Sequence, residues 1–216
     1  MDKSFDKILA ETKKHFINSR GSHDFDHVER VLKMALLIGK KEGANLEILQ
    51  LAAILHDVQR NNADKNKGKI DHAISGAEVA SEILRKYKYD EKTISAVYHC
   101  IAAHRFRNDV EPKTLEAKVL FDADKLDSIG AIGVGRAFLF AGELKAKLHN
   151  SGMTDDQILV TKEFGKEDTA YREFLIKLRY IKSRMQTKEG RKLAKERHDF
   201  MVGFFKRMKK EMGGLI

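Results

Sequence analysis

LAAILHDVQRNN, residues 51–62, decides how this chain is read. The apolar run Leu51-Ala52-Ala53-Ile54-Leu55 has the character of a buried helix, yet it closes on His56-Asp57 before the chain turns polar. Burying an imidazole beside a carboxylate costs free energy unless the pair is hydrogen-bonded, ion-paired or bound to a metal. The run therefore predicts partners elsewhere in the sequence.

Working outward, the surrounding pattern is helical throughout. The chain has one proline, Pro112, among 216 residues, and no stretch alternates polar and apolar residues as a half-buried strand does. Helices are predicted over residues 3–17, from Asp24 or Asp26 to a stop at Gly43, and from an Asn45 cap to Asp57. Residues 58–70, rich in Asn and Lys, read as a loop. Further helices start at Asp71 and at Asp90, and others cover 114–129, 131–149, about 167–187 and 189–212, with 155–165 ambiguous. The expected fold class is an all-α bundle forming a single domain over 1–216.

Composition narrows the class. A hydrophobic content of 42% supports a sizeable core, and no run approaches the ~20 apolar residues of a membrane span. The N-terminal MDKSFDKILAETKK is amphipathic and partly acidic, unlike a secretory or organellar leader. With Cys100 as its single cysteine, the chain has no internal disulfide framework, so a cytoplasmic location is expected. A net charge of +9 points to an anionic partner. The basic residues concentrate from Lys177 onward. Acidic residues interleave with them, and Leu175, Leu178, Ile181 and Met185 keep a helical period, so a solvated helix face is favoured over a nucleic-acid surface.

Histidines and aspartates cluster at the predicted helix ends: His23, Asp26 and His27, then His56-Asp57, His72, His99 and His104, and lastly Asp122, Asp124 and Asp127. Asp124 adjoins the apolar stripe of Val119, Leu120, Ala123, Leu126 and Ile129, where a carboxylate needs a partner. Imidazoles and carboxylates drawn from several helices suit a divalent ion such as Mn, Fe, Co, Ni or Zn, and Mg is kept open.

The order His27, His56-Asp57, Asp124 resembles that of the HD-domain metal-dependent phosphohydrolase superfamily. The flanks HDFDHVERV, AAILHDV and FDADKLDSIGAIG carry the resemblance, which covers roughly residues 20–140 and points to small standalone bacterial members. It implies an HD-domain helical bundle with His27, His56, Asp57 and Asp124 as metal ligands. Asp122 competes with Asp124, but two helical positions rotate a side chain by ~200°, so both do not readily face one ion; the apolar-flanked match to the family's segment puts the bet on Asp124. His23, Asp26 and Asp127 are read as groups that orient ligands or move protons. His72 and His104 stand where some HD proteins bind a second ion. One ion is favoured over two, because this region holds no adjacent His-His pair. Residues 150–216 carry no usable motif.

The resemblance implies hydrolysis of a nucleotide or a related small phosphate ester by metal-activated water. Asp57, Lys125 and Arg60 are the favoured catalytic residues, the two cations as phosphate contacts; Arg30, Arg105 and Arg107 are further candidates. AIGVGRA, residues 131–137, follows a helix rather than a strand, so Gly133 and Gly135 are read as packing glycines. Two other readings stay open. One is an HD-scaffold regulatory or nucleic-acid-binding protein using its basic C-terminal helices, and the other is a binuclear HD-type oxygenase. A homodimer is also open.

Overall fold

The computed structural model describes residues 3–66, 71–105 and 110–215, with the side chains of Lys3, His23, Asp64 and Lys65 outside that description. Every regular element among the described residues is helical. They are α1 (Lys3–His15), α2 (Phe25–Glu42), α3 (Leu46–Leu55), α4 (Arg60–Lys65), α5 (His72–Lys86), α6 (Glu91–Ala102), α7 (Leu115–Leu126), α8 (Gly130–Glu143), α9 (Asp155–Leu159), α10 (Ala170–Ile176) and α11 (Lys188–Met212). Short 3-10 turns occupy Gly21–His23 and Leu178–Arg184. No described helix is long and apolar enough to cross a membrane.

The chain groups into two compact units. One comprises Met1–Asp124 with Gln186–Glu189, the other Lys125–Met185 with Gly190–Ile216. In the first unit α3 is the hub, packed against α1, α2, α5 and α6. Its sequence explains this position: Leu49, Leu51, Ala52, Ala53, Ile54 and Leu55 are all buried, and a helix apolar on all sides belongs inside a core. At Gly39 of α2, a Cβ would stand 2.2 Å from Leu49 Cδ1 of α3, so the missing side chain is what lets these two helices approach.

The caps follow the sequence. Asp24 accepts from the His27 main-chain N–H at 3.3 Å, and α2 ends on Gly43 at φ 78°, a left-handed backbone suited to glycine. Asn45 caps α3 through the N–H groups of Glu47 and Ile48, and Asp90 caps α6 through Lys92 and Thr93. Residues 87–90 join α5 to α6 so briefly that the two helices pack as a hairpin. The start of α5 and the end of α6 therefore lie at the same end of it.

In the second unit α10 packs on α8 and α9. Tyr171 stacks on Phe174, whose ring centroid lies 4.8 Å from that of Phe205, and a buried Arg172–Asp168 pair at 2.8 Å closes the α10 N-terminal turn.

Four readings differ from the sequence expectation. The helix expected over 131–149 ends at Glu143. Residues 60–65 form a short helix where a loop was expected. The helix expected over 167–187 stops at Ile176, where Lys177 leaves helical geometry at φ −139°, and continues as 3-10 turn. Buried Leu175, Leu178 and Ile181 recur every third residue, which is the 3-10 repeat rather than the α repeat. Of the two motif glycines, Gly133 is buried, and a Cβ there would lie 2.3 Å from the Ser128 carbonyl oxygen, whereas Gly135 faces open space.

Candidate metal centre

Six side chains of the first unit converge. His27 comes from the first turn of α2, and His56 and Asp57 from the end of α3. His72 opens α5, His104 lies just past the end of α6, and Asp124 sits near the end of α7. All six are buried, Asp124 the least at 9% exposure. Their donor atoms fall into two groups, His27/His56/Asp124 and Asp57/His72/His104, with the atoms of each group within 4.8 Å of one another.

In the first group His27 Nε2 is 3.3 Å from Asp124 Oδ1 and 3.3 Å from His56 Nε2, and His56 Nε2 is 4.0 Å from Asp124 Oδ1. Asp57 Oδ2 faces the same histidines, at 3.8 Å from His27 Nε2 and 3.7 Å from His56 Nε2. Asp57 Oδ1 turns the other way, 3.6 Å from Nε2 of both His72 and His104. That distance is too long for a hydrogen bond, and buried Oδ1 has no hydrogen-bond partner. Asp57 thus presents one oxygen to each pair of histidines.

The tautomers follow from the main chain. His56 Nδ1 lies 2.8 Å from the Ala53 carbonyl oxygen, and His104 Nδ1 lies 2.6 Å from that of Ile101. A carbonyl only accepts, so each Nδ1 carries a proton and each Nε2 is the nitrogen turned into the cluster. Burial pushes the His56 imidazole down to about 4, against the opposing pull of Asp57 and Asp124. It likewise pushes His72 down to about 3. Both rings are neutral at neutral pH, as metal ligands must be. Burial works against ionisation of Asp57, but His56, the His104 contact, His72 and the Arg60 guanidinium outweigh it and hold the carboxyl well below the usual range.

These observations fit a divalent cation. Two donors each ~2.1 Å from one ion stand ~3–4 Å apart, and the observed donor distances run from 3.3 to 4.0 Å. The orphaned carboxylate oxygen and the two fixed Nε2 atoms lack what a cation supplies. The structure brings His72 and His104 into this cluster with Asp57, as well as the four residues expected to hold a single ion.

The other expected residues fall elsewhere. Asp122 is buried and fully engaged by the chain ahead of α11, accepting from Gln186 N at 2.8 Å, Thr187 N at 2.7 Å and Thr187 Oγ1 at 2.6 Å. Asp26 is exposed, and the carboxylate that meets the His27 main chain is that of Asp24. Asp127 lies in the second unit and accepts from Arg136 at 2.8 Å. His99 accepts from the Lys113 N–H, outside the cluster. Arg60 opens α4, and its charge acts on Asp57 and His72. Arg105 pairs with Asp71 at 3.2 Å. Lys125 follows Asp124 on α7 and belongs to the second unit. The His23 side chain and Arg107 lie outside the described residues.

The HD domain family matches residues 24–129, a span containing all six converging side chains. Over 218 residues the chain is 33% identical to the uncharacterized protein YpgQ of Bacillus subtilis, covering 99% of this chain and 96% of that one. The chain belongs to the HD superfamily. Its HD-superfamily hydrolase fold recurs in solved structures. The crystal structure of B. subtilis YpgQ in complex with ADP matches with a TM-score of 0.73 at 30% identity, over 98% of this chain and 100% of that one. An HD-superfamily hydrolase from Bacillus thuringiensis matches with a TM-score of 0.75 at 26% identity, over 98% and 97% of the two chains. Ribonuclease Y of Chloroflexus aurantiacus is 32% identical over 120 residues, which is 56% of this chain and 21% of that enzyme. HD domains bind divalent metals, and the His/Asp cluster of this HD protein is the group that could hold them.

Proposed function

We propose that the protein is a metal-dependent phosphohydrolase acting on a nucleotide, with two divalent ions held by the six converging side chains. The observation that carries this reading is the placing of Asp57 between the two histidine pairs, one carboxylate oxygen toward each. His27, His56 and Asp124 would hold one ion, His72 and His104 the other, and Asp57 would serve both. Four imidazoles among six ligands favour Mn, Fe, Co, Ni or Zn over Mg, which prefers all-oxygen surroundings.

Ions so held would lower the pKa of water and polarise a phosphoryl oxygen. The chain's own residues do the rest. The carbonyls of Ala53 and Ile101 fix two rings so that their Nε2 atoms need no rearrangement before binding. Burial keeps His56 and His72 neutral, and Asp57 stays ionised. Arg60, the cation whose charge reaches both Asp57 and His72, binds and orients the substrate phosphate, and Lys125 is assigned the same role from its place beside Asp124 in sequence. The ADP bound by YpgQ supports a nucleoside phosphate as substrate.

The test is hydrolysis in 18O-labelled water, using manganese-loaded protein and a series of nucleoside mono-, di- and triphosphates. Water attack at phosphorus places the label on a phosphorus-containing product. Product free of label, or turnover that survives complete chelation, would refute the mechanism. The same six donors would serve a di-iron oxygenase; two equivalents of iron with oxygen uptake and no phosphate release would favour that reading.

A further inference from the structure

His72 and His104 come from opposite termini of the α5–α6 hairpin, so their spacing depends on what ties those termini together. Asp71, immediately before His72, does three things at once. Its side chain caps α5 by accepting from Ala73 N at 2.9 Å. Its main-chain carbonyl accepts from Ser75 N at 3.1 Å and Ser75 Oγ at 2.9 Å. Its second carboxylate oxygen, Oδ2, pairs with Arg105 Nη1 at 3.2 Å, and Arg105 is the residue immediately after His104. The pair is largely shielded, at 24% exposure for Arg105 and 30% for Asp71. His104 is fixed to α6 through the Ile101 carbonyl. One ion pair therefore joins the residue before one histidine to the residue after the other, at the open end of the hairpin.

We propose that Asp71 and Arg105 are positioning residues that set the affinity of the Asp57/His72/His104 group for its ion, leaving the His27/His56/Asp124 group untouched. The inference rests on the two-ion reading above. It gives Arg105 a role distinct from a phosphate contact: the guanidinium is spent on Asp71 and acts through the geometry of the two histidines. Partners one step behind metal ligands change affinity by roughly 10–100-fold when lost.

The test is manganese titration of the chelated full chain by calorimetry, with a thermal melt on each variant. Asp71→Asn is the informative substitution, because asparagine caps a helix about as well as aspartate. It removes the charge and keeps the cap. For Asp71→Asn and Arg105→Ala, the equivalent that His104→Ala removes is expected to lose tenfold or more in affinity, with the other equivalent unchanged. Arg105→Lys recovers part of the loss, and Arg105→Ala in the Asp71→Asn background adds little more, since the pair is already broken. Equal weakening of both equivalents alongside a lowered melting temperature would make the pair a general structural tie and overturn the proposal. Two wild-type affinities in Arg105→Ala with a raised KM would also overturn it, making Arg105 a substrate contact. A wild-type chain that binds one equivalent or none overturns the two-ion reading itself, and this role with it.

Discussion

His56 Nε2 lies 3.3 Å from His27 Nε2, and the proton of the His56 ring is committed to the Ala53 carbonyl at its other nitrogen. A lone pair fixed this close to a second ring nitrogen, with Asp124 Oδ1 at 3.3 Å from His27, is an arrangement that a cation stabilises. Manganese is therefore expected to raise the melting temperature. A free concentration of a hundred times Kd contributes about 2.7 kcal/mol. In His27→Ala the shift should fall to less than half that of the wild type. Thermal melts across a manganese series check this, and an undiminished shift in the variant would exclude His27 as a ligand.

The metal-free protein is expected to lose stability on mild acidification. His56 and His72 have folded values of about 4 and about 3, below the ~6.5 of an exposed histidine. Between these limits the unfolded chain binds more protons than the folded one, so stability rises with pH. The stability tied to neutral rings is complete above about pH 6.5 and is lost as the pH falls toward 4 and then 3. Asp57, held well below the usual carboxylate range, contributes a further loss below the ordinary aspartate value of ~3.8. Urea unfolding of the chelated chain at pH 7.5, 6.0 and 5.0 should show a steady decline. His56→Asn should flatten it.

Asp122 and Asp124, two residues apart on α7, should separate cleanly. Asp122→Ala leaves three donors of Gln186 and Thr187 without their acceptor, and is expected to cost about 3 kcal/mol or more while leaving metal stoichiometry intact in the folded fraction. Asp124→Asn should do the reverse, losing metal with little loss of metal-free stability. Paired urea melts and metal analysis would expose a swapped assignment.

Arg60→Ala is expected to lower kcat/KM for a nucleotide by about 10–100-fold, a loss of roughly 1.4–2.7 kcal/mol of transition-state binding. Both metal equivalents should remain. Steady-state kinetics beside metal analysis on the same sample check it; a variant with unchanged kcat/KM removes Arg60 from the phosphate site.

The helical class and most caps were legible because Asp24, Gly43, Asn45, Asp71 and Asp90 act locally, within a turn of their own position. The candidate ligands His27, His56, Asp57 and Asp124 were legible through their flanks, and the preference for Asp124 over Asp122 through its apolar-flanked match, helical rotation saying only that the two do not readily face one ion. The pairing of His72 with His104 was less so, because it depends on the α5–α6 hairpin, and the absence of an adjacent His-His pair argued for one ion. The Asp71–Arg105 tie was hidden: in sequence, Asp71 reads as an ordinary cap and Arg105 as one cation among many. The break at Lys177 was masked because an apolar spacing of three satisfies an α-helix nearly as well as a 3-10 turn. The engagement of Asp122 by Thr187 spans 65 residues, beyond any local pattern.

The most direct measurement is the metal content of the manganese-reconstituted full chain, wild type beside His104→Ala, by plasma mass spectrometry, with nucleotide hydrolysis assayed on the same samples. A site in which Asp57 serves two ions predicts two equivalents in the wild type, one in His104→Ala, and loss of hydrolysis with the second ion. One equivalent in both proteins, or two in the variant, would contradict it.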